Sequence, residues 1–178
     1  CREITEVLPE DAIVVADTGY SAIWAATMIN IDSVRQTFLR AAGSLGWAFP
    51  AAMGAKCAAP DRPVICFAGD GAFWYHLGEL ETASRWGINT VTVVNNNSAL
   101  GQCLPGINRA YGDDEGEKQH MSDFRQTNFS RIAEEMGAFG VRVSDPKDIK
   151  GAIQKALRQD KPSLVEVITE PAAHPIAE

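Results

Sequence analysis

The sequence predicts an α/β domain: a doubly wound, mainly parallel six-stranded sheet with helices on both faces. Two observations carry this expectation. Short apolar runs alternate with segments of helical pattern along the chain, the order expected of parallel strands joined by crossover helices. Two of those runs, VICFA at 64–68 and TVTVV at 90–94, are almost continuously apolar, as strands covered on both faces must be.

In chain order, the first strand is expected at 12–16 (AIVVA) and the first helix at 21–28 (SAIWAATM). A short strand at 37–39 and an alanine-rich helix at 48–58 follow. The strand at 64–68 leads to a helix at 75–86, and the strand at 90–95 ends in three asparagines. A helix at 129–136 precedes a strand at 140–143. The last helix, 146–158, is announced by Ser144-Asp145-Pro146, a capping residue and then a proline suited to a first helical turn. A strand at 164–168 completes the set. The interval 98–127 contains GINRAYGDDEGEKQH and reads as a long exposed loop, of the kind that serves as a lid or partner contact. The closing PAAHPIAE is expected to be loosely ordered.

Composition excludes several classes of function. An apolar fraction of 46% in 178 residues is ample for one buried core. The net charge of −7 comes from scattered acids, and no cluster of Lys and Arg offers a phosphate backbone a footprint, so nucleic acid is not an expected partner. No apolar run approaches the ~18–20 residues that a membrane span requires, and no signal sequence opens the chain. Cys1, Cys57, Cys66 and Cys103 show no paired spacing. With Cys57 and Cys66 in apolar surroundings, they read as small core residues of a cytoplasmic protein. The chain opens on Cys1 and not on methionine, and meets a strand within about ten residues, so a fragment or a processed subunit is expected.

The chemistry is expected at two strand ends. Ligands of open parallel sheets collect at the carboxyl ends of the strands. There FAGDGAFW (67–74) places Asp70 between two glycines, and VVNNNSALG (93–101) places three asparagines. Taken singly these are helix caps and turn formers. At the same edge of consecutive strands they form a crevice with one carboxylate and several amide oxygens. The amides of Gly71, Ala72 and Phe73 lead into a helix start and suit an anion. A lone acid facing a phosphate needs a cation between them. Hard oxygen donors suit Mg²⁺ or Ca²⁺, and a shell completed by phosphate oxygens favours Mg²⁺. There is no G-K-[ST], and Gly69-x-Gly71 lacks the third glycine of a dinucleotide fingerprint.

The stretch GDGAFWYHLGELETASRWGINTVTVVNNN resembles the signature of thiamine diphosphate enzymes, G-D-G followed by an interval and then N-N. GSLGWAFPAAMGAK (43–56), NNSALGQ and NFSRIAEEMGAFGVRV are similar to further segments of the acetolactate synthase-like and 2-hydroxyacyl-CoA lyase branch. The resemblance covers nearly the whole chain and implies the diphosphate-binding domain over residues 1–178. It implies Mg²⁺ on the side chains of Asp70 and Asn97 and on the Ala99 carbonyl. The 27-residue step from Asp70 and the trailing SALG favour Asn97 over Asn96. It implies thiamine diphosphate against Gly43, Ser44, Leu45, Gly69, Asp70, Gly71, Ala72, Asn97, Ala99 and Leu100. Ala72 stands where the family often has serine, which loses a hydroxyl and keeps the backbone donor. Leu45 would wedge the cofactor into its bent shape and the Gly43 carbonyl would accept from its 4'-amino group, so these two are the catalytic candidates. His76, Glu79 and Glu81 read as serving their helix, although Glu79 matches a family position. Trp47, Trp74 and Trp86 read as core or interface residues, the first two also as pocket walls.

The family's pyrimidine-binding domain, with its glutamate, is not found in this chain. A partner chain or segment carrying it is therefore expected, in a homo- or hetero-oligomer. The implied activity is a lyase or carboligase on small 2-oxo acids or 2-hydroxyacyl substrates, CoA esters included. A non-catalytic cofactor-binding subunit is the rival, and a plain nucleotide-binding module the third reading.

Overall fold

A computed structural model describes residues 1–112 and 117–173. The expectations for GDDEG at 112–116 and for the end of the tail fall largely outside those residues. The elements run α1 (Arg2–Val7), β1 (Ile13–Ala16), α2 (Gly19–Met28), β2 (Thr37–Arg40), α3 (Ala48–Ala58), β3 (Val64–Gly69), α4 (Asp70–Tyr75) and α5 (Glu79–Trp86). They continue through β4 (Val91–Asn96), α6 (Leu104–Tyr111), α7 (Phe129–Glu135), β5 (Phe139–Val143), α8 (Ile149–Leu157) and β6 (Ser163–Ile168).

The six strands form one sheet in the order β2-β1-β3-β4-β6-β5, every pair parallel. Alternation along each strand divides the core into two layers. Ile13, Val15, Val64, Cys66, Val94 and Leu164 face α3, α4, α5 and α7. Val14, Ala16, Ile65, Phe67, Val93 and Val165 face α1, α2 and α8. Helices thus cover both faces, as the sequence predicts. The inner strands β1, β3, β4 and β6 are buried along most of their length, while the edge strands β2 and β5 are only partly covered.

The chain leaves β1 toward β2 on one side and returns to β3 on the other. The β1/β3 border is thus a topological switch point, where a crevice opens beyond the strand ends. Registers carry the same logic across β3 and β4: Gly69 lies opposite Asn95, so the two motif-bearing ends leave the sheet side by side.

Several expectations need correction. The helix predicted at 75–86 is two helices, because α4 starts directly on Asp70 at the strand end and stops at His76, whose backbone leaves the helical region. A second helix starts three residues later, at Glu79. The 98–127 interval is not a plain loop: it contains a 3-10 turn at Gly101–Cys103 and α6, with Pro105 in its first turn. α6 has no buried residue, so its apolar positions have no core contact to reveal them. α1 was not predicted, and residues 146–148 form a 3-10 turn ahead of α8. Cys57 is exposed, not core, while Cys66 is buried. Trp47, Trp74 and Trp86 are each more than a third exposed, so none is a core residue. Trp74 nonetheless lays one edge on buried Phe129, with ring centroids 5.0 Å apart.

Candidate functional site

The switch-point crevice holds a cavity of about 190 Å³. Three strand ends and the loop before α3 build it. From the end of β3 and the first turn of α4 come Gly69, Asp70, Gly71 and Ala72, and from the end of β4 and the chain beyond it come Asn95, Asn97, Ala99 and Leu100. Gly43 and Leu45 reach it from the loop. The residues that the resemblance assigns to metal and cofactor therefore meet in one place except Ser44, which is exposed on the same loop. The expected anion donor Phe73 and the expected pocket walls Trp47 and Trp74 are not among the lining residues either.

The three asparagines divide their work. The Asn95 side-chain oxygen accepts from the Thr169 hydroxyl at 2.6 Å. The Asn96 amide donates to buried Glu166 (Oε1, 2.7 Å) and to the Thr127 carbonyl (3.2 Å), while its oxygen accepts from the Ser98 N–H (3.1 Å). Asn97 is left for the cavity. Ser98 then adopts φ 55°, a left-handed conformation uncommon outside glycine, and swings the chain back on itself. That reversal brings the Ala99 N–H within reach of both Asp70 (Oδ2, 3.1 Å) and Asn97 (Oδ1, 3.0 Å). One backbone donor thus ties together the side chains of two strand ends.

The returning loop is pinned from outside. Leu100 donates its N–H to the Ser122 carbonyl and Phe124 donates to the Ser98 carbonyl, at 2.8 and 2.7 Å. Gly71 admits this close approach: a Cβ there would stand 2.6 Å from the Leu100 side chain and 3.3 Å from Phe124.

Asp70 is 2% exposed. Burial pushes its carboxyl up to about 6, against the opposing pull of the backbone N–H groups around it, Gly71 and Ala99 first. Among the described residues no three His, Cys, Asp or Glu side chains gather around a common point. A cation here would therefore rest on one carboxylate, one amide oxygen and backbone carbonyls. That is a hard, oxygen-only set, with positions left for an anion's oxygens.

Sequence reasoning missed the third strand end. Thr18, Gly19, Tyr20 and Ser21 line the cavity from the start of α2, and Gly101, Gln102 and Cys103 from the 3-10 turn. The signal was present in AIVVADTG, where an apolar run ends on an acid next to a small residue and a glycine, much as FAGDG does.

The comparisons with known proteins fall on this geometry. Residues 17–167 match the family described as "Thiamine pyrophosphate enzyme, C-terminal TPP binding domain", a span that begins at the β1 end and closes in β6. The chain belongs to the thiamine pyrophosphate enzymes. It is 33% identical over 172 residues to the acetolactate synthase large subunit of Lactococcus lactis, covering 96% of this chain and 29% of that protein. It is 32% identical over 182 residues to the sulfoacetaldehyde acetyltransferase of Alcaligenes xylosoxydans, covering 94% and 28%. In structure it is similar to the thiamine diphosphate-dependent 4-hydroxybenzoylformate decarboxylase of Rhodococcus jostii RHA1. The TM-score there is 0.81 and the identity 31%, over 95% of this chain and 31% of that one. The chain thus spans less than a third of these relatives and corresponds to the thiamine pyrophosphate-binding domain. Among the described residues no helix is long and apolar enough to cross a membrane.

Proposed function

We propose that this domain is the diphosphate- and Mg²⁺-binding part of a thiamine diphosphate-dependent lyase or carboligase. Its substrates would be small 2-oxo acids or 2-hydroxyacyl compounds, turned over through C–C bond cleavage or formation. The observation that carries this reading is the Ala99 N–H bridging Asp70 and Asn97, because it gathers an oxygen donor set at a strand-end cavity of the cofactor-binding family. The relatives' names support the substrate class: one is a synthase of acetolactate, another a decarboxylase of a benzoylformate, itself a 2-oxo acid.

In this reading Asp70 and Asn97 would hold Mg²⁺ through their side chains and Ala99 through its carbonyl. The amides of Gly71 and Ala72 would hold the diphosphate, with Gly69 and Leu100 beside it in the cavity lining. The Gly43 carbonyl would accept from the cofactor's amino group, and Leu45 would press against the cofactor from the loop and orient it. When bound, the cofactor supplies a thiazolium carbon as the nucleophile. This chain's part is to bind, orient and exclude water. The acid that protonates the pyrimidine would come from a partner chain or segment carrying the pyrimidine-binding domain. Trp47 and Trp74, both exposed beside the site's elements, would form part of that contact.

Titration of the assembled protein with thiamine diphosphate, with and without Mg²⁺, tests the reading. Binding that gains at least tenfold in affinity with Mg²⁺ supports it, and binding indifferent to the ion overturns it. Leu45 allows a finer check, since it packs against the core on one side and lines the cavity on the other. Leu45→Ala is expected to weaken cofactor binding only about threefold while turnover falls by roughly one to two orders of magnitude, the mark of an orienting residue. Unchanged turnover would make Leu45 a core residue only.

A further inference from the structure

We propose that Asp17 is the positioning residue of the site, holding the Gly43–Leu45 loop at the angle from which it meets the cofactor. This rests on the role given to that loop under Proposed function. Asp17 follows the last residue of β1 and is fully buried. Its Oδ1 accepts from the N–H groups of Thr18 (2.8 Å) and Gly46 (3.0 Å), and its Oδ2 from the N–H of Ala48 (2.7 Å). No Lys, Arg or His pairs with it in any ion pair among the described residues.

Of these three donors Thr18 lines the cavity on the α2 side, while Gly46 and Ala48 follow the lining residue Leu45 in the chain, Ala48 as the first residue of α3. The Asp17 N–H is itself donated to the Phe67 carbonyl on β3, at 3.0 Å, which anchors the residue to the sheet. The loop has few alternatives for its own support. Gly43 and Gly46 stand at φ +95° and +92° on either side of Leu45, so two residues in four hold a conformation that favours glycine. On its far side Gly46 abuts Tyr75, where an added Cβ would stand 2.6 Å from the Tyr75 Cβ. The loop is thus gripped between the buried carboxylate and the end of α4, and the direction of Leu45 depends on both.

All three partners donate, so both side-chain oxygens must accept. Asn is nearly isosteric and cannot meet that demand: its NH₂ would confront one of the N–H groups. The metal and diphosphate residues lie at the end of β3, in the first turn of α4 and beyond β4, and none of them bonds to the Asp17 side chain. Asp17→Asn should therefore separate orientation from binding.

The experiment measures two quantities in the assembled protein, with thiamine diphosphate and Mg²⁺ as probes. One is cofactor affinity. The other is the rate at which the proton on the cofactor's thiazolium carbon exchanges with deuterium from D₂O, which needs no substrate. Asp17→Asn is expected to leave Mg²⁺-dependent affinity within about threefold, and to slow the exchange and kcat by tenfold or more. In combination with Leu45→Ala the two effects should be less than additive, because both act through one side chain. A lower melting temperature with unaltered exchange would reduce Asp17 to a cap of α3 and overturn the proposal. So would fully additive effects. If Asp17→Asn does not fold, Asp17→Ser, smaller and keeping one acceptor, is read by the same criteria. Loss of Mg²⁺-coupled binding in the unmutated protein is a separate result, which would overturn the functional reading itself.

Discussion

Asp70→Ala is expected to abolish the Mg²⁺ dependence of thiamine diphosphate binding. Asp70 is the charged member of the proposed donor set and lies almost wholly buried between two strand ends. Without it the diphosphate would meet only neutral oxygens, and no ion would offset its charge. The pH dependence follows from the same burial. The Asp70 carboxyl is raised from its ordinary 3.8 to about 6 in the metal-free protein. Below that value a cation must displace a proton, so Mg²⁺ affinity should fall roughly tenfold per pH unit as the solution is made more acidic. The stability effect has the opposite sense. A raised carboxyl favours the fold fully below pH 3.8, and that advantage is lost as pH rises through about 6. At pH 8 the metal-free protein therefore carries a penalty on the order of 2–3 kcal/mol at this residue. Asp70→Asn, which cannot ionise, should melt some 5 °C or more above the unmutated metal-free protein at pH 8, and not at pH 4. Calorimetry at the two pH values reads this directly. A metal-free Asp70→Asn that melts lower at pH 8, or Mg²⁺ coupling that survives in Asp70→Ala, would refute the site.

Gly140→Ala is expected to give a large loss of stability from a position far from the cavity. Gly140 lies in β5, and a Cβ there would land on the Ser130 carbonyl oxygen of α7, inside any permissible contact. The obstacle is backbone, so no rotamer change can clear it. Either α7 moves off the sheet or β5 leaves its register with β6. Overpacking of this kind costs roughly 3 kcal/mol, or about 10 °C in a domain of this size. Gly54→Ala is the control. Gly54 sits within α3 with nothing within 4 Å of an added Cβ, so alanine should raise stability by about 0.5–1 kcal/mol through helix propensity. Thermal melts of the two variants should move in opposite directions, and equal melting points would show that α7 does not press on β5 as described.

The strands and the two motif-bearing ends were legible because burial on both faces writes a nearly unbroken apolar run, and because a change from apolar to polar residues at the carboxyl end of such a run marks where ligands collect. The same reading failed where the signal depends on tertiary partners. α6 carries no buried residue, so its pattern competes with Gly and Pro and loses. The boundary of α4 was misplaced because a helix that starts on the residue after a strand leaves no loop to mark it. Asp17 was passed over for a different cause. Its partners, Gly46 and Ala48, are about thirty residues away, and nothing local distinguishes a carboxylate that holds a loop from one that faces water.

The triple asparagine looks like a run with copies to spare, and its hydrogen bonds say otherwise. Asn95, although it borders the cavity, has its side-chain oxygen committed to Thr169, and Asn96 is committed to Glu166 and Thr127. The third place is the one that meets Ala99 and Asp70 at the cavity. β4 is locked to β3 by register as far as Asn95, so the run is counted from the sheet and not from the loop. Shortening it by a single residue would leave a pair of asparagines that still spells the motif, yet both would be consumed as scaffolding, and Ser98 would occupy that third place. For descendants of this gene the letters at 95–97 are thus less informative than their number, and a lost codon there does more harm than most single exchanges within the run.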